Sequence, residues 1–310
     1  MSTESGTNFL TLRSLPDDDL REVLERTDQL KDRELDLCSG RTLILLFEKR
    51  STRTRVSFST GFQQLGGRVI FLSSDDVQLS RGETIADTAR TLSRYADGIA
   101  CRTFEQHRVD ELGEYFEGPV INALTDQSHP CQALSDVYTI FQHAETDDPS
   151  LAYVGDGNNV CRSLMEAARP FDLEMHVASP SGYEPEADVV DDLQKQGADL
   201  TLHDDPVDAV RNVDFVYTDV WVSMGDENAE QRKRDLQNYQ VNTELLSHAA
   251  KEVKVMHCLP AHRGEEITAN VMDGPRSVVF DQAENRLHVQ KALTAYLMVG
   301  SDRLRRIDFS

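Results

Sequence analysis

The sequence predicts an α/β protein of two similar domains, each a parallel β-sheet flanked by helices, with the active site expected in the cleft they form. Short apolar runs of strand length alternate with helix-patterned stretches along all 310 residues, as in repeated β-α units. The alternation pauses at Thr146-Asp147-Asp148-Pro149-Ser150 and then restarts. A chain of this length has room for two domains of ordinary size. The expected domains are 1–145 and 146–287, with a helix at about 288–310 packing back on the first.

In the first half the patterning predicts a helix over 17–31 and a buried strand over 43–47. A helix over 54–65 ends at Gly66-Gly67, and a strand follows over 68–72. Then come a helix over 84–94, a short strand over 98–101, a helix over 109–115, a strand over 120–123 and a helix over 133–143. The second half predicts a strand over 151–154, a helix over 160–168, a strand over 174–178, a helix over 189–196 and a strand over 200–203. A helix starts at 207–210, and a strand over 215–218, a helix over 243–250 and a strand over 253–258 follow. The last long helix is expected from about 288 to 297.

Composition narrows the function. The chain carries 54 acidic and 32 basic residues, a formal charge of −22. Such a field disfavours nucleic acid and anionic membranes as partners. Arginine outnumbers lysine 25 to 7 and Asp outnumbers Glu 32 to 22. Acidic, Lys-poor surfaces suit very high salt, where self-repulsion is screened, so a halophilic cytoplasmic protein is expected. The five cysteines, Cys38, Cys101, Cys131, Cys161 and Cys258, are scattered and form no C-x-x-C pair, which points to reduced thiols. No apolar run approaches a membrane span, and Met1 to Phe9 lacks the features of a secretory signal.

Polar residues at strand ends carry the chemistry. The run Leu43–Phe47 stops abruptly and Ser51-Thr52-Arg53-Thr54-Arg55 follows. Ser51 suits an N-cap, and the first N–H groups of a helix, with its dipole, favour an anion. Ser51, Thr52 and Thr54 add hydroxyl donors, and Arg53 and Arg55 add forks that match phosphate. Two arginines in a first turn oppose the dipole, a conflict an anion would relieve. Arg55 also suits a structural ion pair within the helix. Arg102 follows the 98–101 strand, and His129-Pro130-Cys131-Gln132 follows the 120–123 strand, where ligands gather in open α/β sheets.

Gly155-Asp156-Gly157-Asn158-Asn159-Val160 resembles a dinucleotide loop, but Val160 replaces its third glycine and no acidic residue ends the next strand. NAD binding is therefore not expected, and the absence of any Gly-Lys pair excludes a Walker A loop. Asp219, after the 215–218 strand, is an acceptor suited to an ammonium, and Trp221, the only tryptophan, is expected to pack the loop. His257, Cys258 and His262 would be the members of a metal set. Adjacent strand residues point to opposite faces, so no metal is expected. Cys258 suits an activated thiol or a positioning group, and Arg286 is a further anion ligand.

In chain order, Ser51 to Arg55, His129 to Gln132, Asp219 through Gly225 and His257 to Ala261 resemble the four motifs of the aspartate/ornithine carbamoyltransferase family. The resemblance covers nearly the whole chain. Ser223-Met224-Gly225 and Cys258 are similar to the ornithine branch, whereas the aspartate enzymes lack both. The resemblance implies transfer of a carbamoyl group between carbamoyl phosphate and the δ-amine of L-ornithine, giving L-citrulline and phosphate. It implies carbamoyl phosphate binding by Ser51, Thr52, Arg53, Thr54, Gln78, Arg102, His129, Gln132, Cys258, Leu259 and Arg286. Gln78 would come from a mobile loop of a neighbouring subunit. Ornithine would be held by Asn159, Asp219, Ser223 and Met224. The catalytic residues implied are Arg102, His129 and Cys258. No cofactor or metal is implied, and a trimer or a multiple of trimers is. Another amine acceptor such as putrescine is the alternative, which the Ser223-Met224-Gly225 loop disfavours.

Overall fold

The computed structural model describes residues 7–73, 75–76, 82–222 and 228–307. The chain forms two compact units, one of residues 1–135 and 286–310 and the other of residues 136–285. The changes of unit fall inside two helices, α5 and α11, described below.

The first unit is built on a parallel sheet of order β2-β1-β3-β4. Its strands are β1 (Thr42–Phe47), β2 (Arg68–Ser73), β3 (Gly98–Arg102) and β4 (Val120–Leu124), and its helices begin with α1 (Asp17–Leu30), α2 (Thr52–Gln64), α3 (Ile85–Leu92) and α4 (Gln106–Tyr115). Five of the six residues of β1 are buried, as expected of a central parallel strand covered on both faces. Ile44, Leu46, Ile99, Cys101 and Val120 from the sheet pack with Ala89, Val109 and Leu112 from the helices and with Phe116 just past α4. The order reverses direction at the β1–β3 pair, because β1 connects onward to β2 on one side and lies beside β3 on the other. Ligands of open α/β sheets bind outside the carboxyl ends of strands at such a switch point. Ser51 and Arg102 lie at those two ends.

α5 (Pro130–His143) leads to the second unit, a parallel sheet of order β7-β6-β5-β8-β9. It contains β5 (Ser150–Val154), α6 (Asn159–Ala168), β6 (Glu174–Ala178), α7 (Ala187–Lys195), β7 (Leu200–His203), α8 (Pro206–Ala209), β8 (Phe215–Thr218), α9 (Ala229–Leu236), β9 (Lys254–His257) and α10 (Ala269–Met272). Its switch point is the β5–β8 pair, whose ends lead to Asn158 and Asp219. Beneath them Tyr153 and Tyr217 stack at 5.7 Å.

α11 (Val279–Val299) and α12 (Ser301–Arg305) complete the chain. Glu22 of α1 anchors α12, accepting from Arg305 (3.0 and 2.6 Å) and Ser301 (2.8 Å).

Several elements among the described residues differ from the sequence expectation. The helix expected over 243–250 is only a 3-10 turn, Leu245–Ser247, since only Leu245 and Leu246 there are fully buried. α9 is absent from the expectation because Leu236 is its one buried residue, leaving no apolar stripe to recognise. α11 starts nine residues before the expected 288. Its buried positions include Gln282, Asn285, Arg286, His288, Gln290 and Lys291, which break the apolar periodicity. Lys291, for example, donates to Gln64 (3.1 Å) and to the Arg33 carbonyl.

Candidate active site

The residues expected to bind an anion assemble within the first unit. Ser51 is the N-cap of α2, with an extended backbone (φ −159°) and its Oγ accepting from the Thr54 N–H at 3.2 Å. Arg53 and Thr54 follow in the first turn, and Arg53 Nε is buried with no hydrogen-bond partner among the described residues. Arg286, on α11, donates from Nη2 to Thr54 Oγ1 at 2.9 Å. Thr54 thus keeps its own hydroxyl proton for a ligand. Gln290, one turn beyond Arg286, satisfies both neighbours when its amide oxygen accepts from Arg286 Nε (3.2 Å) and Nη2 (3.1 Å) and its nitrogen donates to Ser57.

Arg102 ends β3, where its carbonyl accepts from the Glu48 N–H at 2.8 Å. Glu48 also accepts from Arg108 (2.6 Å) and from the Thr103 hydroxyl. One carboxylate therefore ties the end of β1 to the end of β3. His129 and Gln132 flank the start of α5 and are 4% and 1% exposed. Burial holds the His129 ring well below the ordinary histidine range, and the guanidiniums of Arg286, Arg102 and Arg53 push it further the same way. A neutral imidazole amid three cations serves as a fixed hydrogen-bonding group.

That shift also bears on stability. The unfolded histidine takes up its proton near pH 6.5 and the folded one only well below that, so the unfolded state binds more protons in the interval. His129 contributes stability above pH 6.5 that is lost as pH falls toward its folded value. The urea midpoint should fall between pH 7 and 5, and more steeply than in His129→Gln. Equal slopes would reject the buried neutral ring.

Arg55 takes no part in this cluster. Its guanidinium stacks over the Phe71 ring at 3.6 Å, a cation–π contact rather than an ion pair within the helix. A cavity of about 670 Å³ lies beside this stack, lined by residues that include Lys49, Arg50, Ser51, Thr52 and Arg55. Arg53, Arg102 and His129 do not line it.

The second unit assembles a different set. Asp219, just past β8, is 7% exposed. Its carboxylate accepts from Asn158 Nδ2 (2.8 Å), the Val220 N–H (2.7 Å) and Cys258 Sγ (2.8 Å). Asn158 caps α6 through Oδ1, which accepts from Val160 N–H (2.9 Å) and Cys161 N–H (3.1 Å). Asn159, the expected ligand, is the first residue of that helix. Sequence reasoning missed Asn158, whose one signal is a side chain suited to capping. The glycine turn before it is structural. A Cβ on Gly157 would lie 2.4 Å from the Pro185 nitrogen. Trp221 is buried as expected, and its carbonyl accepts from Arg232 at 2.8 Å.

None of the five cysteines is in a disulfide, and Cys258 is the one that is not buried. Burial pushes Cys38 up to about 11 and Cys131 up to about 12, leaving Cys258 the available sulfur. Its thiol donates to Asp219. β9 ends at His257, so strand alternation does not govern Cys258, and ligand atoms of Asp219, His257 and Cys258 lie within 4.8 Å of one another. Both ring nitrogens of His257 are engaged, with the Leu259 N–H (2.9 Å) and with Glu266 (3.1 Å). Leu259 has a φ of 59° and precedes a cis peptide bond to Pro260. His262 instead groups with Glu265 and Glu266.

The first unit thus brings together Ser51, Thr52, Arg53, Thr54, Arg102, His129, Gln132 and Arg286. The second holds Asn159, Asp219, Cys258 and Leu259. Gln78, Ser223 and Met224 lie outside the described residues.

Family models match both parts of the chain. Residues 7–142 match the carbamoyl-P binding domain and residues 147–297 the Asp/Orn binding domain of aspartate/ornithine carbamoyltransferase. An ornithine carbamoyltransferase of Carboxydothermus hydrogenoformans is 49% identical over 304 residues, covering 94% of this chain and 98% of its own length. One from Thermococcus kodakarensis is 47% identical, covering 96% and 98%. The solved ornithine carbamoyltransferase of Pyrococcus furiosus superposes with a TM-score of 0.91 at 46% identity, covering 97% of this chain and 99% of that one.

Proposed function

The chain belongs to the aspartate/ornithine carbamoyltransferase family, and we propose from that premise that it transfers the carbamoyl group of carbamoyl phosphate to the δ-amine of L-ornithine. The products are L-citrulline and phosphate, and the reaction is reversible, so it serves arginine metabolism in either direction. The observation that carries the donor assignment is the convergence of Arg53, Arg102 and Arg286 on a buried, neutral His129. The near full-length likeness to ornithine carbamoyltransferases supports the acceptor.

Ser51, Thr52, Arg53, Thr54 and Arg286 hold the phosphate, with the α2 N-terminus adding its orphan N–H donors. Arg102, His129 and Gln132 hold the carbamoyl end. Asp219 takes the ornithine α-ammonium, with Ser223, and Asn159 and Met224 take its carboxylate. The δ-ammonium must lose a proton before it attacks, since it has no lone pair. Attack on the carbamoyl carbon forms the C–N bond and a tetrahedral oxyanion. Arg102, His129 and the Thr54 hydroxyl stabilise that charge. The C–O bond to phosphate then breaks, its electrons leave with phosphate, and the phosphate takes up the amine proton. Holding both substrates supplies much of the rate.

Cys258 and Leu259 orient and desolvate the reacting amine. Cys258 forms no covalent intermediate, since its thiol is already committed to Asp219. Mass spectrometry of enzyme quenched during turnover should find no carbamoyl-cysteine adduct, and finding one would reverse this role. The protein acts in the cytoplasm as a trimer or multiple of trimers, with Gln78 reaching a neighbour's site. Its acidic, arginine-rich composition supports activity in high salt. The decisive assay supplies carbamoyl phosphate with L-ornithine, putrescine or an acylated ornithine at high salt. Phosphate release should be fastest with ornithine, accompanied by citrulline, and its absence with every amine would overturn the reading.

A further inference from the structure

Glu266 has no exposed surface and lies on the turn that follows the Cys258 segment. Its Oε1 accepts from His257 Nε2 at 3.1 Å and from the His262 backbone N–H. Its Oε2 is buried and has no hydrogen-bond partner among the described residues. A buried acceptor left in that state is costly and calls for an explanation.

Among the described residues no lysine or arginine is hydrogen-bonded to Glu266, and the nearby Lys233 ammonium acts on it only through space. His257 Nδ1 accepts from the Leu259 N–H, so the single ring proton is on Nε2 and the ring is neutral. Lys233 is bonded to Glu265 Oε1 at 2.7 Å. Arg263 is bonded to Asp273 at 2.9 and 2.6 Å. What faces Glu266 Oε2 is His262 Nδ1, at 3.9 Å, and Glu265 Oε2 stands 3.9 Å from the same nitrogen. Those separations are too long for hydrogen bonds. Donor atoms that share a tetrahedral ion, each about 2.1 Å from it, stand somewhat closer together, within reach of a small side-chain shift.

The turn that carries these groups is already fixed. Gly264 N–H donates to the Ile267 carbonyl (2.8 Å) and Glu265 N–H to that of His262 (2.9 Å). Gln240 Nε2 donates to the carbonyls of Gly264 (3.1 Å) and Glu265 (2.8 Å).

We propose that His262 Nδ1, Glu265 Oε2 and Glu266 Oε2 form a binding site for a divalent transition-metal ion of the zinc class. One imidazole and two carboxylates are suitable donors for such an ion, and the two negative charges cancel its own. His262 is half exposed, which gives the ion a path in and a solvent-facing coordination position. The Lys233 ammonium on the far oxygen of Glu265 limits the affinity. The ion braces Glu266, whose other oxygen holds His257, which in turn holds the Leu259 N–H. It is therefore a structural ion for the turn after β9, separate from any step of the reaction, and it does not depend on the proposed substrate.

The test is a titration of chelator-treated full-length protein with Co²⁺, followed by visible absorbance and calorimetry. About one equivalent should bind, with d–d bands and without a thiolate charge-transfer band, since no sulfur is among the ligands. His262→Ala and Glu265→Gln should each weaken binding roughly tenfold or more, with circular dichroism confirming that each variant is folded. No binding, a thiolate band, or unchanged affinity in both folded variants would overturn the site.

Discussion

Arg53→Ala is expected to raise the carbamoyl phosphate requirement by roughly a hundredfold or more while leaving the protein as stable as before. A planar guanidinium grips phosphate through two charge-assisted hydrogen bonds. Each contributes about 1.5–3 kcal/mol, so losing both costs at least about 3 kcal/mol, and each 1.4 kcal/mol is tenfold in affinity. Stability should move differently. Arg53 lies in the first turn of α2, where a cation opposes the helix dipole, and it shares its surroundings with Arg102 and Arg286 around His129. Removing it relieves repulsion, so the thermal midpoint should hold or rise. A titration showing unchanged carbamoyl phosphate affinity would reject the assignment.

Asp219→Asn is expected to raise the ornithine requirement by about tenfold to a hundredfold and to change the carbamoyl phosphate requirement by only a fewfold. The ammonium of ornithine loses a full negative charge, worth about 1.5–3 kcal/mol for a charged hydrogen bond. A second penalty comes from the three donors already on this carboxylate, Asn158 Nδ2, Val220 N–H and Cys258 Sγ. An amide keeps one acceptor oxygen and turns its NH₂ toward one of them. Two donors then face each other without an acceptor. Initial rates with each substrate varied in turn decide the matter, and equal effects on both requirements would count against the role of Asp219.

Most strands were legible in the sequence. β1, β3, β5 and β8 are continuous apolar runs, because a central parallel strand is buried on both faces. The polar residues that follow them stood out for the same reason. Ser51, Arg102, Asp156 and Asp219 each come at or just after the point where the apolar run ends. α11 was partly hidden because its inward positions include amides, an arginine and a lysine whose partners are remote in sequence. Arg286 bonds Thr54 from 232 positions away, and Asn158 reaches Asp219 across 61. No local pattern encodes such pairs.

The sequence by itself determined the fold class, the chemical type of each binding group and the order of its motifs, since these follow from local apolar periodicity and residue chemistry. Tertiary structure alone decided the electrical state and company of those groups. It made His129 neutral by burying it amid three guanidiniums. It sent Arg55 to the face of Phe71, and it committed the Cys258 thiol to Asp219. The reason is that desolvation, Coulomb forces and hydrogen bonds depend on distance through space, which the chain order does not specify.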